Sequence, residues 1–159
     1  VEKGGELFLS GQALKELLRS GLDKGASFRF RAKGFSMSPF IKDGDVITVA
    51  PLQGATPGFG DVAVSILPGR GKLVIHRVVG KRADSYLVKG DNVFESDGMV
   101  PEANILGYVR RVERDGKKIS RGFGPEKVLI ACLTRSGLLC PLLLCVVKVV
   151  CFARRRSQE

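Results

Sequence analysis

Three residue types in the chain are those that hydrolysis by a serine nucleophile requires. Ser36 lies in the motif Gly34-Phe35-Ser36-Met37-Ser38-Pro39, and His76 is the single histidine of the sequence. Two aspartates, Asp91 and Asp97, follow further along the chain. A serine attacks a carbonyl when a neutral imidazole accepts its proton, and a carboxylate holds that imidazole in the productive tautomer. The residue types therefore favour serine-dependent hydrolysis, with either aspartate as the third group.

Each of these residues also has an ordinary structural explanation. Gly, Ser, Pro and Asp are common in turns, where a serine hydroxyl satisfies nearby backbone groups. A histidine in a strand is often a core residue with one ring nitrogen satisfied, and aspartates in a loop form Asx turns. The elements that carry these side chains must therefore bring them together before chemistry is inferred.

Short strands are predicted on both sides of the Ser36 motif. Strict alternation over residues 27 to 33 indicates a half-buried strand that leads into Ser36, and Asp43-Gly44-Asp45 forms a turn after it. Alternation in the strand at 72 to 79 places His76 on one face with Val74 and Val78. The remaining strands are predicted at residues 46 to 50, 61 to 67, 86 to 89 and 105 to 112. We expect a mainly β fold, a small coiled antiparallel sheet or partly open barrel.

Helical segments are predicted at both ends of this sheet. Residues 10 to 22 form an amphipathic helix with Leu14, Leu17, Leu18 and Leu22 on one stripe and Ser10 as candidate N-cap. We expect this helix to act as a lid or docking arm on the strands. The C-terminal segment is hydrophobic and helical, with breaks near Ser136-Gly137 and Pro141. The predicted division is an N-terminal helix at 1 to 26, a β-rich domain at 27 to 120 that carries Ser36, His76 and the two aspartates, and a Cys-containing tail at 121 to 159.

Composition bears on the choice of partner and cofactor. The formal charge is +10, but the basic residues are spread along the chain and aromatic residues are few, so we expect no nucleic-acid partner. The four cysteines form no CxxC pair and have no histidine nearby, which predicts buried free thiols rather than a metal site. We expect neither a metal nor an organic cofactor.

The C-terminal segment also predicts membrane association. As a helix, residues 136 to 153 would be about 27 Å long, against a bilayer core of about 30 Å, and they include Pro141 and Lys148. Residues 1 to 33 contain no apolar run of the length of a signal-peptide core. We expect the tail, which ends in Arg154, Arg155 and Arg156, to span the membrane or to lie in its plane.

Three motifs, in order, resemble the conserved boxes of type I signal peptidases. They are Gly34 to Pro39 with Asp43-Gly44-Asp45, then His76-Arg77-Val78-Val79, then Lys89-Gly90-Asp91-Asn92 with Asp97. The resemblance covers about residues 33 to 112 and is to the branch of the endoplasmic reticulum, archaea and some spore-formers, where His replaces the Lys base. The LexA-type self-cleaving repressors share the Ser-Met box and the fold. The resemblance implies a signal peptidase/LexA-like fold and a serine endopeptidase that cleaves signal or leader peptides.

The resemblance also implies a role for each residue of these motifs. Ser36 would be the nucleophile, His76 the general base and Asp97 the triad acid, six residues after Asp91. Asp91 would be a supporting acceptor that orders its loop. Many signal peptidases have an oxyanion-donating Ser where this chain has Gly34, and a basic residue where it has Gly98. The oxyanion would therefore rest on backbone N–H groups, the Ser36 amide first. Supporting positions are Gly34, Met37, Pro39 and Asn92.

The resemblance also implies a class of substrate. The substrate would be an extended peptide with small side chains near the cut, which binds beside the strand at residues 27 to 33.

The membrane topology is not fixed by the resemblance. Signal peptidases carry an N-terminal membrane helix that residues 1 to 33 do not predict, and the terminal arginines favour a cytoplasmic tail. The side of the membrane therefore stays open, and a peptidase on the cytoplasmic side is one possibility.

Two other functions are alternatives to the cleavage of signal or leader peptides. They are LexA-like self-processing and a non-catalytic membrane-surface module. A LexA-like repressor would need a DNA-binding helix pair, for which the residues before Ser36 are too few.

Overall fold

The computed structural model of the chain describes residues 11 to 145. Helix α1 is Gly11–Asp23. The strands are β1 Phe28–Arg31, β2 Val46–Ala50, β3 Val62–Ile66, β4 Leu73–Arg82, β5 Ser85–Lys89, β6 Gly98–Pro101, β7 Ile105–Arg114 and β8 Lys117–Ile119. Two C-terminal helices follow, α2 Lys127–Ser136 and α3 Leu139–Cys145. The predicted N-cap Ser10 and the terminal arginines lie outside the described residues.

One antiparallel sheet contains all eight described strands. Its order is β1-β2-β7-β3-β4-β5-β6, and β8 pairs with β7. Strand β7 is the centre, because it pairs with β2 along one edge and with β3 and β8 along the other. The ends of the order, β1 and β6, do not pair with each other, so the sheet is not closed. The mainly β prediction, with a helix before the sheet and helical segments after it, is confirmed.

The core forms on the inner face of this coiled sheet. Helix α1 buries Leu18 and Leu22 against Ile47, Val49 and Val112 from the central strands. A second apolar cluster lies under strands β3 to β6 and includes Val78, Tyr86, Val88 and Val100. Leu17, which the periodicity placed on the buried stripe of α1, is 43% exposed. The helix therefore contributes a narrower stripe to the core than the sequence predicted.

Two strands have no counterpart in the sequence prediction. Strand β6 lies between Gly98 and Pro101, too short for alternation to be visible, and forms because Val100 pairs with Tyr86 of β5. Strand β8 is mostly lysine and forms through a two-residue turn at Asp115 and Gly116, which both have positive φ. Such a turn matches the twist of an antiparallel hairpin. Long-range pairing and turn geometry, rather than apolar pattern, specify both strands.

The two C-terminal helices meet at a sharp bend. Gly137 ends α2 in the left-handed conformation, and the axes of α2 and α3 differ by 100°. The predicted break at Ser136-Gly137 is thus present, whereas Pro141 lies inside α3, where a first-turn proline removes no helical hydrogen bond. Among residues 11 to 145, no single helix has the length and apolar character to cross a membrane. The bent pair passes that test only when both helices are counted together.

Candidate active site

The turn that carries Ser36 is closed by carboxylates on its C-terminal side. Gly34 adopts φ +95°, a left-handed conformation that favours glycine, and its N–H donates to Asp43 Oδ1 at 2.8 Å. After Ser36 the chain turns back, because the Ser38 N–H donates to the Phe35 carbonyl at 3.1 Å. These bonds hold the serine at the start of a tight turn between β1 and β2.

A second carboxylate, that of Asp45, anchors the end of the same turn. Asp45 is buried and accepts two hydrogen bonds from Arg114 of β7, each at 2.8 Å, and one from the Lys42 N–H at 2.7 Å. Burial alone would raise the pKa of the Asp45 carboxyl, but the Arg114 guanidinium and the Lys42 N–H outweigh it and hold the pKa below its usual value. The turn is therefore fixed to the centre of the sheet by an ion pair.

His76 is brought to Ser36 by strand β4. It pairs in register with Ala63 of β3 and is 7% exposed. Its Nε2 lies 2.9 Å from Ser36 Oγ, and its Nδ1 contacts a carboxylate oxygen of Asp97. With Asp97 accepting from Nδ1–H, the Nε2 lone pair faces the serine hydroxyl, which is the tautomer that general-base catalysis requires.

Asp97 reaches the imidazole from the loop between β5 and β6. Its N–H donates to the Val88 carbonyl at 3.2 Å, which anchors this end of the loop to β5. Gly98 follows at φ +88° and begins β6. A left-handed φ favours glycine, so the backbone accounts for glycine where the resemblance led us to expect a basic residue.

Asp91 does not face the imidazole and lies instead in a buried ion pair with Arg77. The guanidinium donates to Asp91 at distances of 2.6 to 3.1 Å, and both side chains are 0% exposed. Arg77 Nη1 also donates to the carbonyls of Gly60 and Gly122, at 2.7 and 3.0 Å. Such a pair is tolerated in a core because nearly all its hydrogen-bonding groups are satisfied.

The residues on either side of Asp91 lie close to Ser36 and His76. The Asn92 N–H donates to the Ser36 carbonyl at 2.8 Å, and Asn92 Nδ2 donates to the Phe35 carbonyl at 3.3 Å. A Cβ at Gly90 would lie 2.7 Å from the Ser36 carbonyl oxygen and 3.2 Å from His76 Nε2. The loop therefore approaches so closely that only glycine fits at position 90.

The other supporting positions play structural parts. Met37 is buried in the main apolar cluster beneath the Ser36 turn, and Pro39 follows a cis peptide bond. Cys140 is buried, but Cys132 and Cys145 are exposed, so the prediction of buried thiols is right for one of the three described cysteines. Within residues 11 to 145, no group of three or more potential ligands is placed to hold a metal ion.

Sequence reasoning missed the structural roles of Arg77 and Thr134. Alternation along β4 places Arg77 on the face opposite His76, with the apolar side chains of Ile75 and Val79. An arginine buried there signals a buried carboxylate partner. Thr134 lies in the apolar C-terminal segment, where its hydroxyl is within hydrogen-bond distance of Asp91 Oδ1 at 3.0 Å. Nothing in the local sequence indicates this contact between Thr134 and Asp91.

Comparison with known proteins gives one informative similarity. No protein-family model matches the chain. The curated protein Signal peptidase I U of Bacillus subtilis (strain 168) is 30% identical over 99 residues, which are 61% of this chain and 53% of the relative. The chain thus spans about half the length of the curated relative it matches. This similarity supports a signal-peptidase-like family for the chain.

Proposed function

We propose that this protein is a serine endopeptidase that resembles type I signal peptidases and cleaves signal or leader peptides. The observation that carries the proposal is the contact of 2.9 Å between Ser36 Oγ and His76 Nε2, with the Asp97 carboxylate on the other ring nitrogen. A serine in a turn and a histidine in a strand, 40 residues apart, meet in the geometry that activates a hydroxyl.

The reaction proceeds by acyl transfer. Ser36 Oγ attacks the scissile carbonyl while His76 Nε2 takes its proton, and Asp97 stabilises the imidazolium that forms. The imidazolium then gives the proton to the leaving amine as the C–N bond breaks, which leaves an acyl-enzyme. Water, deprotonated by the same imidazole, attacks the ester and releases the acid product and Ser36.

The oxyanion is stabilised by the backbone N–H of Ser36 in this proposal. Within residues 11 to 145, that N–H has no acceptor in the chain, whereas the Gly34 N–H is occupied by Asp43. The φ of +95° at Gly34 disfavours a side chain there, so a hydroxyl donor from that position is not supplied. Removing one donor from an oxyanion hole typically costs about 10²- to 10³-fold in kcat.

The substrate binds as an extended strand with small side chains near the cut. Strand β1, which leads into the Ser36 turn, pairs only with β2 among the described strands. The first part of β4, before His76, pairs only with β3. In this proposal an added peptide pairs with one of these edges, of which the β4 edge runs up to His76 and the β1 edge ends at Arg31, five residues before Ser36.

The C-terminal helices associate the protein with a membrane surface in this proposal. The two helices and the link between them expose apolar side chains that are 48 to 63% accessible, which are Val128, Leu129, Leu138, Leu142 and Leu144. Exposed apolar surface on a bent helix pair suits insertion into the interface rather than a full crossing. The same surface favours the alternative of a non-catalytic membrane module, which the cleavage experiment separates.

The decisive experiment measures cleavage of a peptide panel with small residues at the scissile site, between pH 5 and 9. We expect Ser36→Ala and His76→Ala to abolish cleavage at every pH at which the wild type is active. Ser38→Ala is the matched control, because Ser38 lies in the same turn without a contact to His76, and it should cleave normally. Equal inactivity of wild type and Ser36→Ala on every peptide would refute the peptidase.

A further inference from the structure

The C-terminal helix α2 reaches the loop that carries Asp91 and Asp97. Thr134 is 1% exposed, and its hydroxyl lies 3.0 Å from Asp91 Oδ1 and 2.9 Å from the Ile130 carbonyl oxygen. The carboxylate is the stronger of these two acceptors because it carries charge. A side chain of the tail thus completes the hydrogen bonding of a carboxylate that has no contact with the catalytic imidazole.

Asp91 lies at the centre of a segment of three residues that shapes the site. On one side, Gly90 packs against the Ser36 carbonyl and the ring of His76. On the other, the Asn92 N–H holds the Ser36 carbonyl at 2.8 Å. Any displacement of the Asp91 side chain therefore moves two neighbours that contact the nucleophile or its base.

The helix pair supports the Ser36 turn from below as well. Phe40, at the end of that turn, packs with Ile130 of α2 and Leu139 of α3 in a separate apolar cluster. The ring of Phe40 also stacks with the Arg77 guanidinium, whose Cζ is 5.4 Å from its centroid. The helix pair thus contacts both the Ser36 turn, through Phe40, and the loop that carries Asp91, through Thr134.

We propose that Thr134 is a positioning residue for the Ser36–His76–Asp97 site and acts through Asp91. The inference rests on the proposed function. Arg77 fixes Asp91 from the sheet, and Thr134 fixes it from α2, so the two together determine where Gly90 and Asn92 lie. Docking of the C-terminal helix is therefore a requirement for full activity.

The test is a graded series at position 134, measured on the full chain with the peptide that the wild type cleaves. Thr134→Ser keeps a strong donor, Thr134→Cys keeps a weak one, and Thr134→Val keeps the shape without a donor. We expect kcat to fall in that order, by tenfold or more for Thr134→Val, with KM within twofold of wild type. Ser136→Ala is the matched control, because its exposed hydroxyl bonds only the Leu133 carbonyl of the same helix.

A second readout needs no substrate, because His76 is the single histidine of the chain. Its Hε1 ring proton gives one NMR signal, which Thr134→Val should displace while Ser136→Ala leaves it in place. Wild-type kcat and an unmoved signal in Thr134→Val would overturn the inference, as would a fall in activity that does not follow donor strength. If Thr134→Val does not fold, the Ser and Cys variants supply the same comparison.

Failure of the proposed function looks different. If wild type cleaves no peptide, the peptidase proposal falls, and the NMR comparison alone then decides the inference. A displaced His76 signal in Thr134→Val would support coupling between α2 and the site, and an unmoved signal would exclude it.

Discussion

Substituting alanine at Gly90 tests the close approach of the Asp91 loop to the serine turn. The added Cβ would lie 2.7 Å from the Ser36 carbonyl oxygen, 2.8 Å from Val93 Cγ2 and 3.2 Å from His76 Nε2. The first of these atoms is backbone and cannot rotate away, so the two segments must separate by more than half an ångström. Overpacking of this kind costs about 1 to 3 kcal/mol of folding stability.

The catalytic effect of Gly90→Ala should exceed its effect on stability. Separation of the segments stretches the bond from the Asn92 N–H to the Ser36 carbonyl and shifts Ser36 Oγ relative to His76 Nε2. A misplacement of this order costs about 10²-fold in rate. We expect kcat/KM to fall by about that factor while urea denaturation still shows a cooperative transition.

Gly58→Ala is the control for this substitution. Gly58 lies in a loop, and a Cβ there would meet only Asp61 Oδ2, at 3.4 Å, which is ordinary contact. Wild-type stability and kcat/KM are expected. If Gly90→Ala also keeps both quantities at wild-type values, the loop does not approach the serine as described and the reasoning is refuted.

Three further predictions concern two ion pairs and Asp97, the proposed third catalytic group. Removing one partner of the buried pair, by Arg77→Met or Asp91→Leu, should lower the free energy of unfolding by about 3 to 5 kcal/mol, and the double variant should recover part of the loss; strictly additive losses in denaturation experiments would contradict this. Because the pKa of the Asp45 carboxyl is lowered in the folded protein, the ionised carboxylate stabilises the fold fully at pH values above its ordinary pKa of 3.8. This stabilisation is lost as the pH falls through the lowered pKa of the folded state. Acid unfolding of Asp45→Asn should therefore show a weaker pH dependence in that range, and an unchanged dependence would contradict the assignment. Asp97→Asn should lower kcat by about 10⁴-fold with little change in KM, because an amide favours the wrong imidazole tautomer. A variant kcat above about 10% of the wild-type value, measured by steady-state kinetics, would count against a catalytic role for Asp97.

Local sequence pattern was sufficient for the fold class and for most strands. The β-branched run of β2 and the alternation of β4 specify strands whose burial is set by their own residues, and both appear near the predicted bounds. Strands β6 and β8 depend on pairing with a neighbour that is distant in sequence or on a turn with positive φ. Pattern alone does not encode those contacts.

The candidate site shows the same division. Ser36, His76 and the two aspartates were recognisable by residue type, yet their spacing left open which aspartate faces the imidazole. The family resemblance implied Asp97 as the third group, and the fold has Asp97 at the ring and Asp91 at Arg77. The support from Thr134 was invisible for the same reason, since it joins residues 43 positions apart.

The central claim is that Ser36 and His76 act as one catalytic unit, and a double-variant cycle measures it most directly. Residues that act as a unit are strongly non-additive, because either loss alone already removes the nucleophile's activation. We predict that Ser36→Ala, His76→Ala and the double variant all fall to the same residual kcat/KM on a peptide that the wild type cleaves. Losses that multiply in the double variant, or a single variant that keeps wild-type kcat/KM, would contradict the account.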